Sequence, residues 1–361
     1  MKGQKDNPIT PTAILEHIQQ RIPDFTATAG PEPLSGGQMN YVWRVPGRGR
    51  SIVVKYAPPH IATLPDVPLN PERVMFEARC LALFRPGHPL AELARSGVRP
   101  PALLDIDAAR HILIQEDVGP APDLGRWLRA ETSTAGQGAA FGAAIGQFIG
   151  DLHRRTFGDE TLRQNFNNIT IQESRLTGQY SRVGEYLRRG GISDATALGL
   201  RALELGQEFL QPGHCLIMGD LWPPSVLVAA DGLRVIDWEF THFGRPAQDV
   251  SHLAAHLWMH SHRAPSAQGA AASRAALDSF LHSYRQVLGN RLAKIVGAEG
   301  IRQCGIHFGA EILARTVGTY QPRYLYHGLS PQDAPMQEAV LVAAAHIRAP
   351  ENAATFAALA Q

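Results

Sequence analysis

Asp220 lies within Leu216-Ile-Met-Gly-Asp-Leu-Trp-Pro-Pro-Ser-Val-Leu-Val228, and Asp237 and Glu239 follow the apolar run that starts at Val235. A carboxylate held in a turn between apolar runs can take the proton of an attacking hydroxyl. Hard oxygen ligands a short distance along the chain can hold the metal that neutralises phosphate charge. Ser225 stands five residues after Asp220, and Asp237 seventeen residues after it. The ordered set of base, neutral oxygen ligand and charged ligand is more specific than any of its members. It points to transfer of a phosphoryl group onto an alcohol. Asp249, just before Val250, could brace this loop by accepting backbone N–H bonds, or cap a helix starting at Val250. Trp222 stands where it could wall an acceptor pocket or simply pack the loop.

Upstream, Ser35-Gly36-Gly37-Gln38-Met39-Asn40 forms a turn ahead of a strand. Two glycines let backbone N–H groups approach a phosphate, although a glycine turn alone is common in any hairpin. Lys55, inside Ile52-Val-Val-Lys-Tyr56, either snorkels from a sheet edge or reaches into a cleft. With the glycine turn before it and an acidic helix after it, the cleft is favoured. Glu77, mid-helix, is the best partner to orient it; Glu72 is already explained by the helix dipole. At the end of Ile112-Leu-Ile-Gln-Glu-Asp-Val118, backbone groups of Glu116 and Val118 could read an adenine ring.

His252, His256 and His260 recur at four-residue spacing, which can bind zinc. No glutamate follows the first histidine as in zinc proteases, and no cysteine is near. A partly exposed, hydrogen-bonded histidine face is the better reading.

These residues need particular elements around them. Residues 11 to 22 read as an amphipathic helix. Tyr41 to Val45 and Ser51 to Tyr56 read as strands joined at Gly47-Arg48-Gly49-Arg50. A helix is expected from Pro71, capped by Asn70, to about Phe84, with Phe76, Cys80, Leu83 and Phe84 buried. Ala102 to Ile106 and His111 to Gln115 read as a second hairpin. Beyond residue 120 the pattern is mainly helical apart from the 216–240 region. Ala264–Ala276 is small and polar enough to include a surface loop. The chain has 361 residues, 44% hydrophobic and 19% charged, with a net charge of +1. That balance describes a globular protein and gives no field suited to nucleic acid or an anionic membrane. No apolar run approaches the roughly 20 residues that span a bilayer. Three scattered cysteines, Cys80, Cys215 and Cys304, fit a reducing compartment, so a cytoplasmic location is expected.

Taken together, Leu34 to Val45, Ser51 to Lys55, Leu113 to Gly119, Ile217 to Trp222, Ile236 to Glu239 and Gly244 to Asp249 resemble the aminoglycoside phosphotransferase and choline kinase superfamily, in that family's order. The resemblance covers roughly residues 30 to 325 and is strongest to the methylthioribose kinase-like branch. It implies an α+β, protein-kinase-like bilobal fold. An N-lobe (1–117) would carry an antiparallel sheet and a helix, and a mainly helical C-lobe (118–361) the chemistry. It implies ATP, contacted by Ser35, Gly36, Gly37, Asn40, Lys55, Glu77, Glu116 and Val118. It further implies Asp220 as base, Asp237 as main Mg2+ ligand with Glu239 as second acid, and Ser225 in the place of the usual asparagine. Met218 stands where the family often has histidine, so something else must fix the loop. Ala314-Arg315-Thr316 matches a stretch in which methylthioribose kinases carry two substrate-binding arginines. Only Arg315 is present here, as a substrate contact or as an ordinary helix-surface arginine. A small-molecule hydroxyl is the expected substrate. A scaffolding pseudokinase is the alternative, and association as a homodimer stays open.

Overall fold

The Thr10 hydroxyl accepts from the Ala13 N–H at 3.2 Å, and Pro11 opens helix α1 (Pro11–Arg21). The structure is a computed structural model that describes residues 9–34, 37, 39–95, 97–297 and 299–360. The chain divides into two compact units, residues 1–91 with 100–120 and residues 92–99 with 121–361.

In the first unit β1 (Glu32–Pro33), β2 (Tyr41–Pro46) and β3 (Ser51–Tyr56) come first, followed by the small hairpin β4 (His60–Ile61) and β5 (Leu64–Pro68). Helix α2 (Arg73–Ala82) follows. The short strand β6 (Val98–Arg99), which belongs to the second unit, precedes β7 (Leu103–Asp107) and β8 (Ile112–Glu116). The main sheet is antiparallel in the order β1-β2-β3-β8-β7. Side chains alternate across it, so Trp43, Val45, Ile52, Val54, Ile112 and Ile114 share a core with Ile14, Ile18 and Ile22 of the α1 region. Lys55 falls in the opposite phase of β3, where α2 offers Glu77.

Helix α2 is shorter than the sequence suggested. Asn70 Oδ1 accepts from the Glu72 N–H at 3.0 Å, which leaves Pro71 and Glu72 in the turn before the helix. Arg73, Val74, Glu77, Ala78, Cys80 and Leu81 are its buried residues, and Phe76 is only half-buried. The bond from Lys55 to Glu77 turns that face inward and rotates Phe76 away from it.

The second unit is mainly helical. Its helices are α3 (Leu124–Arg129), α4 (Ala135–Thr156), α5 (Glu160–Asn165), α6 (Ile169–Gly178), α7 (Val183–Arg189), α8 (Ala195–Phe209), α9 (Pro246–His262), α10 (Ala267–Leu288), α11 (Leu292–Val296), α12 (Gly300–Arg315), α13 (Ala334–Arg348) and α14 (Ala357–Ala360). Between α8 and α9 lie β9 (Cys215–Ile217), β10 (Val226–Ala229), β11 (Gly232–Val235) and β12 (His242–Gly244). β9 pairs with β12, and β10 with β11. β6 joins β11 in parallel, which ties residues 92–99 to this unit. The fold is therefore α+β, an antiparallel N-terminal sheet followed by a helical remainder.

Residues 264–266 form the expected surface loop, and the rest of the stretch is helical from Ala267, with Ser266 accepting the Gly269 N–H as its cap. Its small residues serve a packing purpose. A methyl added at Gly138, Gly142 or Gly146 of α4 would lie 2.3, 2.0 or 2.3 Å from the carbonyl oxygens of Ala272, Ala276 and Phe280. The two backbones thus approach at four-residue intervals, closer than side chains allow. Among the described residues no helix is long and apolar enough to cross a membrane.

Candidate functional site

In the first unit Lys55 Nζ donates to Glu77 Oε1 at 2.7 Å, and both side chains are almost fully buried. A buried pair of this kind holds only when both partners stay, because either charge alone would be desolvated without compensation. Asn40 is buried, and its Oδ1 accepts from Arg73 Nη2 at 2.9 Å. Arg73 also binds the carbonyls of Met39, Pro58 and Asn70, so it anchors the chain entering β2. Gly37 is exposed, with the nearest atoms 3.7 Å from where a Cβ would be. Ser35 and Gly36 lie outside the described residues. The Glu116 N–H is committed to the Ala102 carbonyl at 2.8 Å. Beside it, Asp117 accepts from Arg44 at 2.6 and 2.9 Å, from Ser51 at 2.5 Å and from the Gly119 N–H at 2.9 Å. Arg44 and the Ser51 and Gly119 bonds hold the Asp117 carboxyl below its ordinary range although burial opposes this. The segment carrying Val118 is therefore fixed by a side chain that spacing alone did not single out.

In the second unit β9 ends at Ile217, and the chain turns through Met218 and Gly219 to Asp220. Gly219 has φ +82°, and a Cβ there would meet the Phe240 carbonyl oxygen at 2.4 Å, so only glycine fits. Asp249, fully buried, accepts from the Met218 and Gly219 N–H groups at 2.8 Å each. This brace acts on the backbone and asks nothing of the side chain at position 218. Asp249 is not a helix cap, because α9 starts three residues earlier at Pro246. Ser225 closes the loop. Its Oγ donates to the Trp222 carbonyl at 2.8 Å and accepts from the Trp222 N–H at 3.2 Å. The Ile236 N–H then binds the Ser225 carbonyl at 2.9 Å, joining the loop to the strand that leads to Asp237.

Asp237 adopts a left-handed backbone, φ +65° and ψ +55°, which non-glycine residues rarely hold. Trp238 is fully buried and donates to the Val235 carbonyl at 2.8 Å, and Asn168 of the α6 cap donates to the Glu239 carbonyl at 2.9 Å. Neighbours on both sides thus impose the turn.

Asp220 Oδ1 accepts from Arg175 Nη2 at 2.9 Å and lies 3.4 Å from His252 Nε2. Burial alone would raise its pKa, but the His252 bond and the Arg175 and Arg315 charges outweigh it and hold the group at about 2. It is a fixed anion. Arg175, from α6, also donates to the Gly219 carbonyl at 2.7 Å.

Arg315 is not a helix-surface residue. Its Nε binds Glu311 Oε1 at 2.7 Å, and its guanidinium lies 4.5, 5.2 and 5.3 Å from the rings of Trp222, Tyr320 and Tyr324. Nor are the three histidines of α9 a partly exposed face, because His252, His256 and His260 are all buried. α12 carries the reason. His307, Glu311 and Arg315 repeat at four-residue spacing on it and face His252 and His256. Among the described residues, the ligand atoms that come together are those of His252, His307 and Glu311, within 4.8 Å of one another, and not the α9 triplet. The i, i+4 polar ladder on α12 was legible in sequence and would have signalled a buried polar seam. Arg175 and Asn168 carried no such signal.

The phosphotransferase enzyme family matches residues 31–286 of the chain. Over 292 residues the chain is 25% identical to 4-hydroxytryptamine kinase of Psilocybe cyanescens, covering 77% of this chain and 81% of that protein. It is 26% identical over 237 residues to methylthioribose kinase 2 of Oryza sativa subsp. japonica, covering 59% and 52% respectively. Amicoumacin kinase hAmiN, solved in complex with AMP-PNP, Ca2+ and Ami, aligns with 96% of this chain and 94% of its own. The TM-score is 0.54 at 15% identity, a likeness of fold.

Proposed function

The chain belongs to the phosphotransferase enzyme family, and from that premise we propose that it is an ATP- and Mg2+-dependent kinase acting on a hydroxyl group of a small molecule. The observation that carries this reading is Asp220. It is an ionised carboxylate in a loop pinned by Asp249, Ser225 and Arg175. A carboxylate so held accepts the acceptor's hydroxyl proton as its oxygen attacks the γ-phosphorus in line. Lys55, oriented by Glu77, would bind the phosphates together with the Ser35–Gly37 turn and Asn40. Glu116 and Val118 would read the adenine through backbone groups. Trp222 and Arg315 would wall the acceptor.

The donor set suits Mg2+. Asp237 and Glu239 offer carboxylate oxygens, and Ser225 Oγ, with its proton on Trp222 and one lone pair on the Trp222 N–H, keeps a second lone pair. When bound, the ion would neutralise phosphate charge. The three buried free cysteines support a reducing, cytoplasmic setting.

The test is Asp220→Asn, measured for ATP binding and for ATP consumption against a hydroxyl-bearing panel that includes methylthioribose and 4-hydroxytryptamine. Binding should survive and turnover should vanish. Unchanged turnover sinks Asp220 as the base, and a wild-type protein that binds ATP but turns over nothing leaves the scaffold reading.

A further inference from the structure

Behind Asp220 a line of buried side chains runs away from the surface. Tyr180 Oη lies 2.5 Å from His307 Nδ1, His307 Nε2 lies 3.1 Å from His252 Nδ1, and His252 Nε2 lies 3.4 Å from Asp220 Oδ1. Tyr180, His252 and His307 are all essentially inaccessible to solvent. The proton positions follow from one group that cannot change. Arg175 is a donor only, and its Nη1 lies 3.4 Å from His252 Nδ1. With His252 Nδ1 accepting from Arg175, the ring proton sits on Nε2, facing Asp220. His307 Nε2 must then donate to His252 Nδ1, which leaves His307 Nδ1 to accept from the Tyr180 hydroxyl. In this direction each link has one group able to donate and one able to accept, and the longest is the 3.4 Å approach of His252 Nε2 to Asp220 Oδ1.

Resting on the kinase reading, we propose that Tyr180, His307 and His252 form a directional hydrogen-bond chain that, with Arg175, positions the Asp220 carboxylate for the hydroxyl of the acceptor. Both donors converge on Oδ1, and among the described residues Oδ2 has no bond, so the second oxygen is the one presented to substrate. Tyr180 and His307 are positioning residues, since they reach Asp220 only through His252.

Glu311 also approaches His252 Nδ1, at 3.6 Å, and could draw a proton there. Its oxygens already receive Gln179 at 2.8 Å, Arg315 at 2.7 Å and His256 at 3.0 Å, so it is satisfied without His252. The same donor atoms could in principle ligate a divalent cation. Arg175 and Arg315 already balance Asp220 and Glu311, however, and two further buried positive charges would lack compensation.

The decisive experiment is long-range proton–nitrogen correlation NMR on the full chain with nitrogen-15-labelled histidine near neutral pH. His252→Gln and His307→Gln spectra give the assignments. A neutral His252 protonated on Nε2 supports the chain. A neutral ring protonated on Nδ1, or an imidazolium, overturns it. Turnover gives the second readout, with Mg2+-ATP hydrolysis as the probe. Tyr180→Phe should lower the rate at least about tenfold with the KM for ATP unchanged, because misplacing a base is felt in the chemical step. His252→Gln, whose amide can still donate, should retain more activity than His252→Leu. Tyr180→Phe at the wild-type rate, or equal losses in Gln and Leu variants, overturns the positioning role. If the wild type consumes no ATP with any acceptor of the panel, the kinase reading fails, and the tautomer alone decides the chain.

Discussion

Replacing Asp249 with asparagine changes one atom of a fully buried side chain and isolates what the brace contributes. Asp249 Oδ1 accepts the Gly219 N–H and Oδ2 the Met218 N–H, each at 2.8 Å, and Oδ2 also lies 3.3 Å from His153 Nε2. Asparagine keeps one acceptor oxygen. Whichever way its amide turns, one backbone N–H loses its acceptor and faces an NH2 donor. A hydrogen bond to a charged group contributes about 1.5–3 kcal/mol, and a buried unsatisfied donor costs about 1–3 kcal/mol. The surviving bond also loses its charge. Asp249→Asn should therefore destabilise the second unit by about 3 kcal/mol, and Asp249→Ala by more, since both N–H groups are then orphaned. Urea unfolding followed by tryptophan fluorescence reads this directly, because Trp222 and Trp238 flank the loop. The same displacement of the Met218–Gly219 backbone should lower turnover while leaving the first unit's stability unchanged. A loss below about 1 kcal/mol would refute the claim that these two bonds fix the loop.

Three further outcomes follow from packing and burial. Gly142→Ala would put a methyl 2.0 Å from the Ala276 carbonyl oxygen, so α4 and α10 must separate, with a loss of about 3 kcal/mol in equilibrium unfolding; full stability would show that the helices shift freely. His260 buries both ring nitrogens with no hydrogen-bond partner among the described residues, so His260→Leu should stabilise the protein by about 1 kcal/mol, and a destabilised variant in the same unfolding assay would show the ring to be satisfied. Burial lowers His242 to about 4 and His256 and His260 to about 3, so each stays neutral in the fold but takes a proton once unfolded below about pH 6.5. Their stabilisation is present above that pH and is lost as pH falls toward 4, by up to about 4 kcal/mol per pH unit for the three together; an unfolding midpoint flat between pH 6.5 and 4 would contradict this.

Much of the candidate site was legible because its residues sit at forced places in the chain. Lys55 interrupts an apolar strand, and Asp220 and Asp237 each end one. Glu77 was legible as a partner because a mid-helix glutamate facing inward needs a cation. What failed was context. Asp249 could cap or brace, and only the N-terminal extension of α9 to Pro246 decided between them. The 264–276 stretch includes a surface loop at 264–266 as expected; alanine and glycine bury little area, so the helix that starts at Ala267 was not legible. Its role is to let two backbones touch, which depends on a partner helix about 130 residues earlier.

The alternation of β2, β3 and β8, the glycine at 219 and the order of base, hydroxyl and acids are properties of the chain itself, because local stereochemistry and side-chain period act over a few residues. Arg175 on Asp220, the opposition of the α9 and α12 polar ladders and the caging of Arg315 by Trp222, Tyr320 and Tyr324 are different. Arg175 stands 45 positions from Asp220, His256 55 from Glu311 and Arg315 93 from Trp222. A histidine every fourth residue has the same spacing whether it faces water or Glu311, and only the packing of one helix on another gives it a buried partner.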